Sequence, residues 1–410
     1  MSGKSVKHLT VDLNWLDDNI HVGDVIISRQ RGKEIVGFSY SPDWLTHQLR
    51  YPLDTELPLI SGLQYTSRQS GLFGFMEDAS PDRWGRALLR RAYSGHGSLM
   101  ATDYLLGVDD RLRLGGFRFR LEGEYQSPPE TGVPKFKVLN DFYSKIKNII
   151  DCGRGNERDL RDVLGPGASL GGARPKLSLY SPEGNLYLAK FPNLNDHFDI
   201  PLWEAVSLYL AQECGIRTPR FNLHRLPTGQ HALIIERFDR RPGRVPFASA
   251  MTLLGAQDTD PEGSHGYLEI AEVLDAEGVA PKEDLKELWL RMQYNVLTSN
   301  RDDHLRNHGF LREAGGWRLS PVYDLESDAE KANHSLSLDD TGSLEPDPEI
   351  CIESAPYFGL SKDEAYQETE DMLEKIGRWQ AVAERYGAKS AEIRRKAECF
   401  LQSRDNRLRP

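Results

Sequence analysis

Between Ser299 and Phe310 the chain reads SNRDDHLRNHGF, and between Ser320 and Ser327 it reads SPVYDLES. Four residues separate Asp302 from Asn307, and a further acid, Asp324, follows a short apolar and turn segment. Residues of these types in this order suit phosphoryl transfer. One carboxylate, Asp302, can orient or deprotonate a hydroxyl, while the amide oxygen of Asn307 and the carboxylate of Asp324 hold the magnesium that bridges ATP phosphates. The same residue types also serve as turn and cap residues in polar runs.

A rigid element has to deliver such a loop. Leu285, Leu288, Trp289, Met292, Val296 and Leu297 recur at helical spacing and predict a helix that ends just before the polar run. An apolar Gly309-Phe310-Leu311 follows it. The Asp-to-Asn gap equals that of a protein-kinase catalytic loop, although His304 follows Asp302 instead of preceding it.

The middle of the chain offers elements that could hold a nucleotide. Gly165 to Lys176, GPGASLGGARPK, is rich in glycines that let backbone amides approach phosphates, but no G-K-[ST] closes it as in a Walker A loop. The strand KLSLY, the turn SPEGN and the strand LYLAKF come next, and a lysine inside the second strand, Lys190, needs a counter-charge that ATP phosphates would provide. PLWEAVSLYLAQECG predicts a helix from Pro201 to Cys214, with Glu204 placed to pair with Lys190 or to favour its own helix N-terminus. ALIIERFDR, Ala232 to Arg240, predicts an apolar strand that turns polar, a hinge whose backbone at Ile235, Glu236 and Arg237 is available to an adenine ring, or a buried strand ending in a salt-bridged turn.

With 410 residues, 39% of them hydrophobic, the chain can bury a sizeable core in two or three domains. Its formal net charge of -11 argues against non-specific binding to nucleic acid, so a role on DNA has to come through a partner. The start MSGKSVKHLTVDLNWLDD lacks an apolar core of signal-peptide length, and no apolar run could span a bilayer, which predicts a cytoplasmic protein. Cys152, Cys214, Cys351 and Cys399 are scattered and read as buried free thiols in a reducing compartment.

From Val22 to about Arg120, short runs such as DVIISRQ and EIVGFSY predict strands and hairpins, with one helix near Pro81 to Tyr93. From about Lys135 to Asp239 strands and helices mix, and after Gly266 the pattern is mostly helical, ending on an apolar face at Ile393, Ala397, Phe400 and Leu401. Glu124 to Lys135, EYQSPPETGVPK, reads as a linker.

Taken in order, the stretches SLGGARPKLSL, LAKFP, IIERFDR, NRDDHLRNHGF and LSPVYDL resemble the HipA-type serine/threonine kinases, the toxin component of bacterial toxin–antitoxin modules. VGFSYSPDWL, PLDTELPLISG and GLFGFMEDASPDRWGRALLRR are similar to the N-terminal domain of that family, although Ser80 and Arg83 depart from its usual wording. The resemblance implies an α+β, two-lobed kinase-like fold: a β-rich N-terminal domain over 1–125, a mixed β/α N-lobe over 126–237 and a helical C-lobe over 238–410. It makes Asp302 the catalytic base and Asn307 and Asp324 the magnesium ligands. Lys190 would hold the ATP phosphates, with Glu204 as its partner. Ser169, Gly171, Gly172, Ala173 and Lys176 would belong to the phosphate loop, His304 to the nucleotide site and the loop's framework, and Ser169 would be the autophosphorylation site that switches the enzyme off. It further implies a small helix-turn-helix antitoxin (HipB-like) as partner, DNA reached only through that antitoxin, and an aminoacyl-tRNA synthetase or other translation component as substrate.

Two other classes remain at this point. Asp302, Asp303, His304 and Asp324 could serve a metal-dependent phosphohydrolase, which would need neither the glycine loop nor the strand lysine. A non-catalytic kinase-shaped binding protein would have no use for the whole set of Lys190, Asp302, Asn307 and Asp324.

Overall fold

The computed structural model describes residues 5–16, 18–30, 32–95, 97–126, 133–151, 157–167, 174–193, 196–241 and 243–400. The chain forms two compact units, Met1–Asn195 with Ile234–Thr259, and Asp196–Leu233 with Asp260–Pro410. Elements are numbered in chain order.

Unit 1 opens with three long antiparallel strands, β1 (Ser5–Trp15), β2 (Asp18–Gln30) and β3 (Lys33–Tyr40). Then come α1 (Pro42–Thr46), β4 (Gln64–Tyr65), α2 (Gly74–Asp78), α3 (Arg83–Ala92), α4 (Ala101–Leu106), β5 (Phe117–Leu121) and β6 (Glu124–Tyr125). The six strands form one sheet in the order β4–β3–β2–β1–β5–β6. Leu9, Val11, Leu13 and Trp15 alternate along β1 and are all buried, as a sheet with one face on a core requires. Phe38 on β3 meets Phe73 and Phe75 edge-on, which ties the sheet to the segment carrying α2.

Helices α5 (Leu139–Asp151) and α6 (Glu157–Gly167) lead to the hairpin of β7 (Lys176–Tyr180) and β8 (Leu186–Lys190), whose register pairs Lys176 with Lys190. The glycine-rich stretch is shorter than expected, because Gly165, Pro166 and Gly167 close α6 and Lys176 already belongs to β7. Gly167 is a packing residue: a β-carbon there would stand 3.0 Å from a methyl of Leu88 on α3. Residues 168–173, which include Ser169, Gly171, Gly172 and Ala173, lie outside the described residues.

Unit 2 begins with α7 (Ile200–Glu213) and β9 (Phe221–Arg225), and the strand β10 (His231–Glu236) carries the chain back into unit 1. There the hairpin β11 (Arg240–Arg241) and β12 (Gly243–Arg244), then β13 (Phe247–Ser249) and α8 (Ala250–Leu253), complete unit 1. The turn after β10 is built on charge: buried Asp239 accepts from Arg237 at 2.5 Å, Arg240 at 2.5 Å and the Gly115 amide at 2.8 Å. Burial alone would raise its pKa, but the two guanidiniums outweigh it and hold the carboxyl below its ordinary range.

The rest of unit 2 is mostly helical, as expected. It comprises α9 (Tyr267–Glu277), α10 (Pro281–Leu297), the hairpin β14 (Gly309–Glu313) and β15 (Gly316–Leu319), then α11 (Pro348–Ser354), α12 (Lys362–Ile376), α13 (Trp379–Tyr386) and α14 (Ser390–Lys396). Cys214, Cys351 and Cys399 are free and buried, and Cys152 lies outside the described residues. Among the described residues no helix is long and apolar enough to cross a membrane.

Candidate active site

Helix α10 ends at Leu297, just before the polar run as expected, and it is held on several sides. Trp289 Nε1 donates to the Cys351 carbonyl at 2.7 Å, Gln293 to Thr369 Oγ1 at 2.8 Å and Tyr294 Oη to the Ser207 carbonyl at 2.7 Å. Such anchoring makes it a rigid base for the loop that follows. Ser299 turns the chain with φ of 52°, a left-handed conformation in which a helix commonly ends. Its carbonyl accepts the Asp328 amide at 2.8 Å, joining the loop to the segment beyond Asp324.

A buried polar chain fixes the loop from below. Asn300 donates to Asn295 at 3.0 Å, Asn295 to Tyr267 Oη at 3.0 Å, and the Tyr267 hydroxyl to Asp303, which also bonds His308 Nε2 at 2.7 Å. Burial raises the pKa of the Asp303 carboxyl, but His308 and the Tyr267 hydroxyl together outweigh it, leaving Asp303 below its ordinary value and charged. The histidine that braces the loop is therefore His308. His304, expected in that role, is exposed and contributes its carbonyl to the Asn307 amide at 2.8 Å. Asp303 and His308 carry no spacing signal of their own; their role shows only once Tyr267, from another helix, meets them.

With Asp303 turned inward, its neighbour Asp302 projects outward, its side chain 73% exposed. Asn307 is buried, and its Nδ2 donates to the Asp302 carbonyl at 3.3 Å. That bond commits the amide nitrogen to the loop, so Oδ1, a hard oxygen donor, is the atom of this side chain suited to a metal. Hairpin β14–β15 then brings the chain back: the Ser320 amide donates to the Gly309 carbonyl at 2.8 Å. Tyr323 Oη donates to the Arg306 carbonyl at 2.7 Å, so the residues preceding Asn307 and Asp324 are tied together. Asp324 is half-buried with φ of 56°, a conformation that a carboxylate residue tolerates at modest strain and that neighbouring bonds must enforce. The Val322 amide on the Arg217 carbonyl, at 2.8 Å, and Lys396 on the Ser327 carbonyl supply them. An amide oxygen and a carboxylate on fixed backbone are a donor set that fits magnesium, which takes few protein oxygens and leaves the rest of its shell to water and phosphate. Among the described residues, no cluster of three or more His, Cys, Asp or Glu side chains is placed to hold a metal.

The other expected residues stand elsewhere. Lys190 is buried at the end of β8 in unit 1, and Glu204 is buried in α7 of unit 2. Lys176 lies opposite Lys190 in the β7–β8 register, and its ammonium sits 2.9 Å from Asp82 Oδ2 in a buried pair. Asp82 also accepts the Gly85 amide at 2.6 Å, so this pair fastens β7 to the first turn of α3. Ile235 and Glu236 are the last residues of β10, whereas the Arg237 amide is committed to the Leu186 carbonyl at 2.9 Å and its side chain to Asp239. The Arg237 N–H is thus a sheet donor and not a donor to an adenine.

Residues 168–396 match the family described as the HipA-like C-terminal domain. The chain is 26% identical over 320 residues to the putative kinase Y4mE of Sinorhizobium fredii, covering 71% of this chain and 72% of that protein. It is 24% identical over 343 residues to the serine/threonine-protein kinase toxin HipA of Shewanella oneidensis, covering 75% of this chain and 74% of the relative. Its fold is similar to a chain in the solved complex of HipA, HipB and operator DNA from Shewanella oneidensis MR-1, with a TM-score of 0.67, 18% identity, and coverage of 95% of this chain and 94% of the other. The expected α+β kinase-like fold is thereby met.

Proposed function

The chain belongs to the HipA-like family of serine/threonine-protein kinases, and on that premise we propose that it transfers the γ-phosphoryl group of ATP to a protein hydroxyl and acts as a growth-inhibiting toxin. The observation that carries this reading is the loop of unit 2, in which Asp302 is thrust outward by buried Asp303 while the Asn307 amide is tied to the Asp302 backbone through its nitrogen. Asp302 accepts the hydrogen bond of the attacking hydroxyl and takes its proton as the hydroxyl oxygen bonds to the γ-phosphorus and the bond from that phosphorus to the bridging oxygen breaks, releasing ADP. Asn307 Oδ1 and the Asp324 carboxylate would hold magnesium, which neutralises charge on the ATP phosphates when bound. Lys190 would meet those phosphates, with Glu204 as its counter-charge, and the backbone of Ile235 and Glu236 would line the adenine.

The division into 1–125, 126–237 and 238–410 belongs to the same proposal, as does Ser169 as the site the enzyme modifies on itself. For partners we propose a small helix-turn-helix antitoxin that carries the acidic chain to DNA. The similar solved structure, a HipA bound to HipB and its operator, supports this. For the substrate we propose a translation component such as an aminoacyl-tRNA synthetase, and for the compartment the cytoplasm. Incubation with γ-labelled ATP and magnesium tests the chemistry. Label on protein supports the kinase; phosphate released alone makes the chain a phosphohydrolase; neither outcome leaves a binding protein.

A further inference from the structure

An aspartate side chain standing in solvent samples several rotamers, so the direction of the Asp302 carboxylate needs an explanation. A cation of unit 2 faces it, that of Lys331, seven residues beyond Asp324 in the sequence. Its ammonium lies 3.4 Å from Asp302 Oδ1, 2.9 Å from Glu262 Oε1 and 2.5 Å from Ser335 Oγ. The backbone around it is laced to the same loop. Arg301 Nη1 donates to the Lys331 carbonyl, Ser335 Oγ donates to the Arg301 carbonyl at 3.2 Å, and the Gly263 amide donates to the Ser335 carbonyl at 3.2 Å.

We propose that Lys331 is the positioning residue of Asp302, an ammonium anchored by Glu262 and Ser335 that holds Oδ1 and leaves Oδ2 to meet the acceptor hydroxyl. The inference rests on the reading of Asp302 as the group that orients that hydroxyl. Three features carry it. The anchors fix Lys331 independently of Asp302, so the cation is in place before substrate arrives and catalysis need not wait for it to order. The ammonium keeps its charge, because Glu262 and Asp302 outweigh the partial burial that opposes it and hold its pKa above the ordinary value. The pair is also poorly suited to a purely structural role, since an ion pair with a carboxylate this exposed adds little stability.

The test uses the full chain and follows label transfer from γ-labelled ATP with magnesium. Lys331→Met is expected to lower kcat about 10- to 100-fold, as misplacement of a reacting group does. The KM for ATP should stay within about threefold and the melting temperature within about 2 °C, as a lost surface pair allows. Lys331→Arg should recover part of the rate. In the Asp302→Asn background, Lys331→Met should cost nothing further, because both changes remove one interaction. A kcat within about threefold of wild type, or the same fractional loss with and without Asp302, overturns the inference. Lys331→Gln carries the same expectations should the Met variant fail to fold. An inactive Asp302→Asn beside a fully active Lys331→Met sinks this inference alone, whereas an active Asp302→Asn sinks the reading beneath it.

Discussion

His334 makes unit 2 sensitive to acid. It is 1% exposed, and neither ring nitrogen has a hydrogen-bond partner among the described residues. Burial pulls its pKa down, Asp303 pushes the other way, and Arg301 and Lys331 add to the fall, taking it from 6.5 to about 4. The unfolded chain therefore binds a proton at His334 below pH 6.5, while the folded chain refuses it until about pH 4. Stability falls as pH drops through that window and levels off below it. At pH 5 the loss relative to pH 8 is about 2 kcal/mol, and over the whole shift about 3 kcal/mol. Other groups titrate in the same range, so the comparison is with His334→Leu, which removes the proton site and the two unpartnered nitrogens. Melting temperatures of both proteins are measured from pH 8 to 5. Wild type should fall about 4–8 °C further than the variant, taking ~2–4 °C per kcal/mol. Parallel curves, or a variant that falls further, would refute the burial argument.

Asp239→Asn should destabilise unit 1 by about 3 kcal/mol, because Arg237 and Arg240 would face each other without the carboxylate that now separates them; urea titration read by intrinsic fluorescence checks this. The depressed Asp239 carboxyl contributes stability above its unfolded value of 3.8, lost as pH falls below it, so the variant should be less sensitive to strong acid. ATP should raise the melting temperature more with magnesium than without, and Asp324→Ala should abolish that difference. A preserved magnesium effect would place the metal away from Asp324.

Where one short stretch of sequence decides an element, the sequence showed it. Helix α10 stops just before the polar run and β7 spans Lys176–Tyr180 as expected, because their apolar periodicity needs no distant partner to read. The helix expected near Pro81 to Tyr93 is α3, started by the Asp82 cap. Strand β1 was not among the expected strands, although Leu9, Val11, Leu13 and Trp15 alternate. Asp12 takes its place on the other face of that alternation, and the burial of its charge makes sense only once Arg120 and Tyr125, over a hundred residues away, bond it at 2.7 and 2.6 Å. The site shows the same division. Asp302, Asn307 and Asp324 announce themselves by type and spacing, whereas Asp303, His308, Tyr267 and Lys331 act through contacts that fold together distant segments. Lys176 illustrates the converse: a lysine at the edge of a glycine-rich run reads as a phosphate ligand, and Asp82 claims it for a buried ion pair.

The most direct test of the account is the rate of label transfer from γ-labelled ATP by wild type and by Asp302→Asn, both checked for intact folding by thermal melt. The substitution keeps the shape of the side chain and removes its charge. Because buried Asp303 and not Asp302 braces the loop, melting should hardly change while transfer falls at least ~100-fold and ATP binding persists. Transfer near the wild-type rate in a folded Asp302→Asn protein would contradict the account.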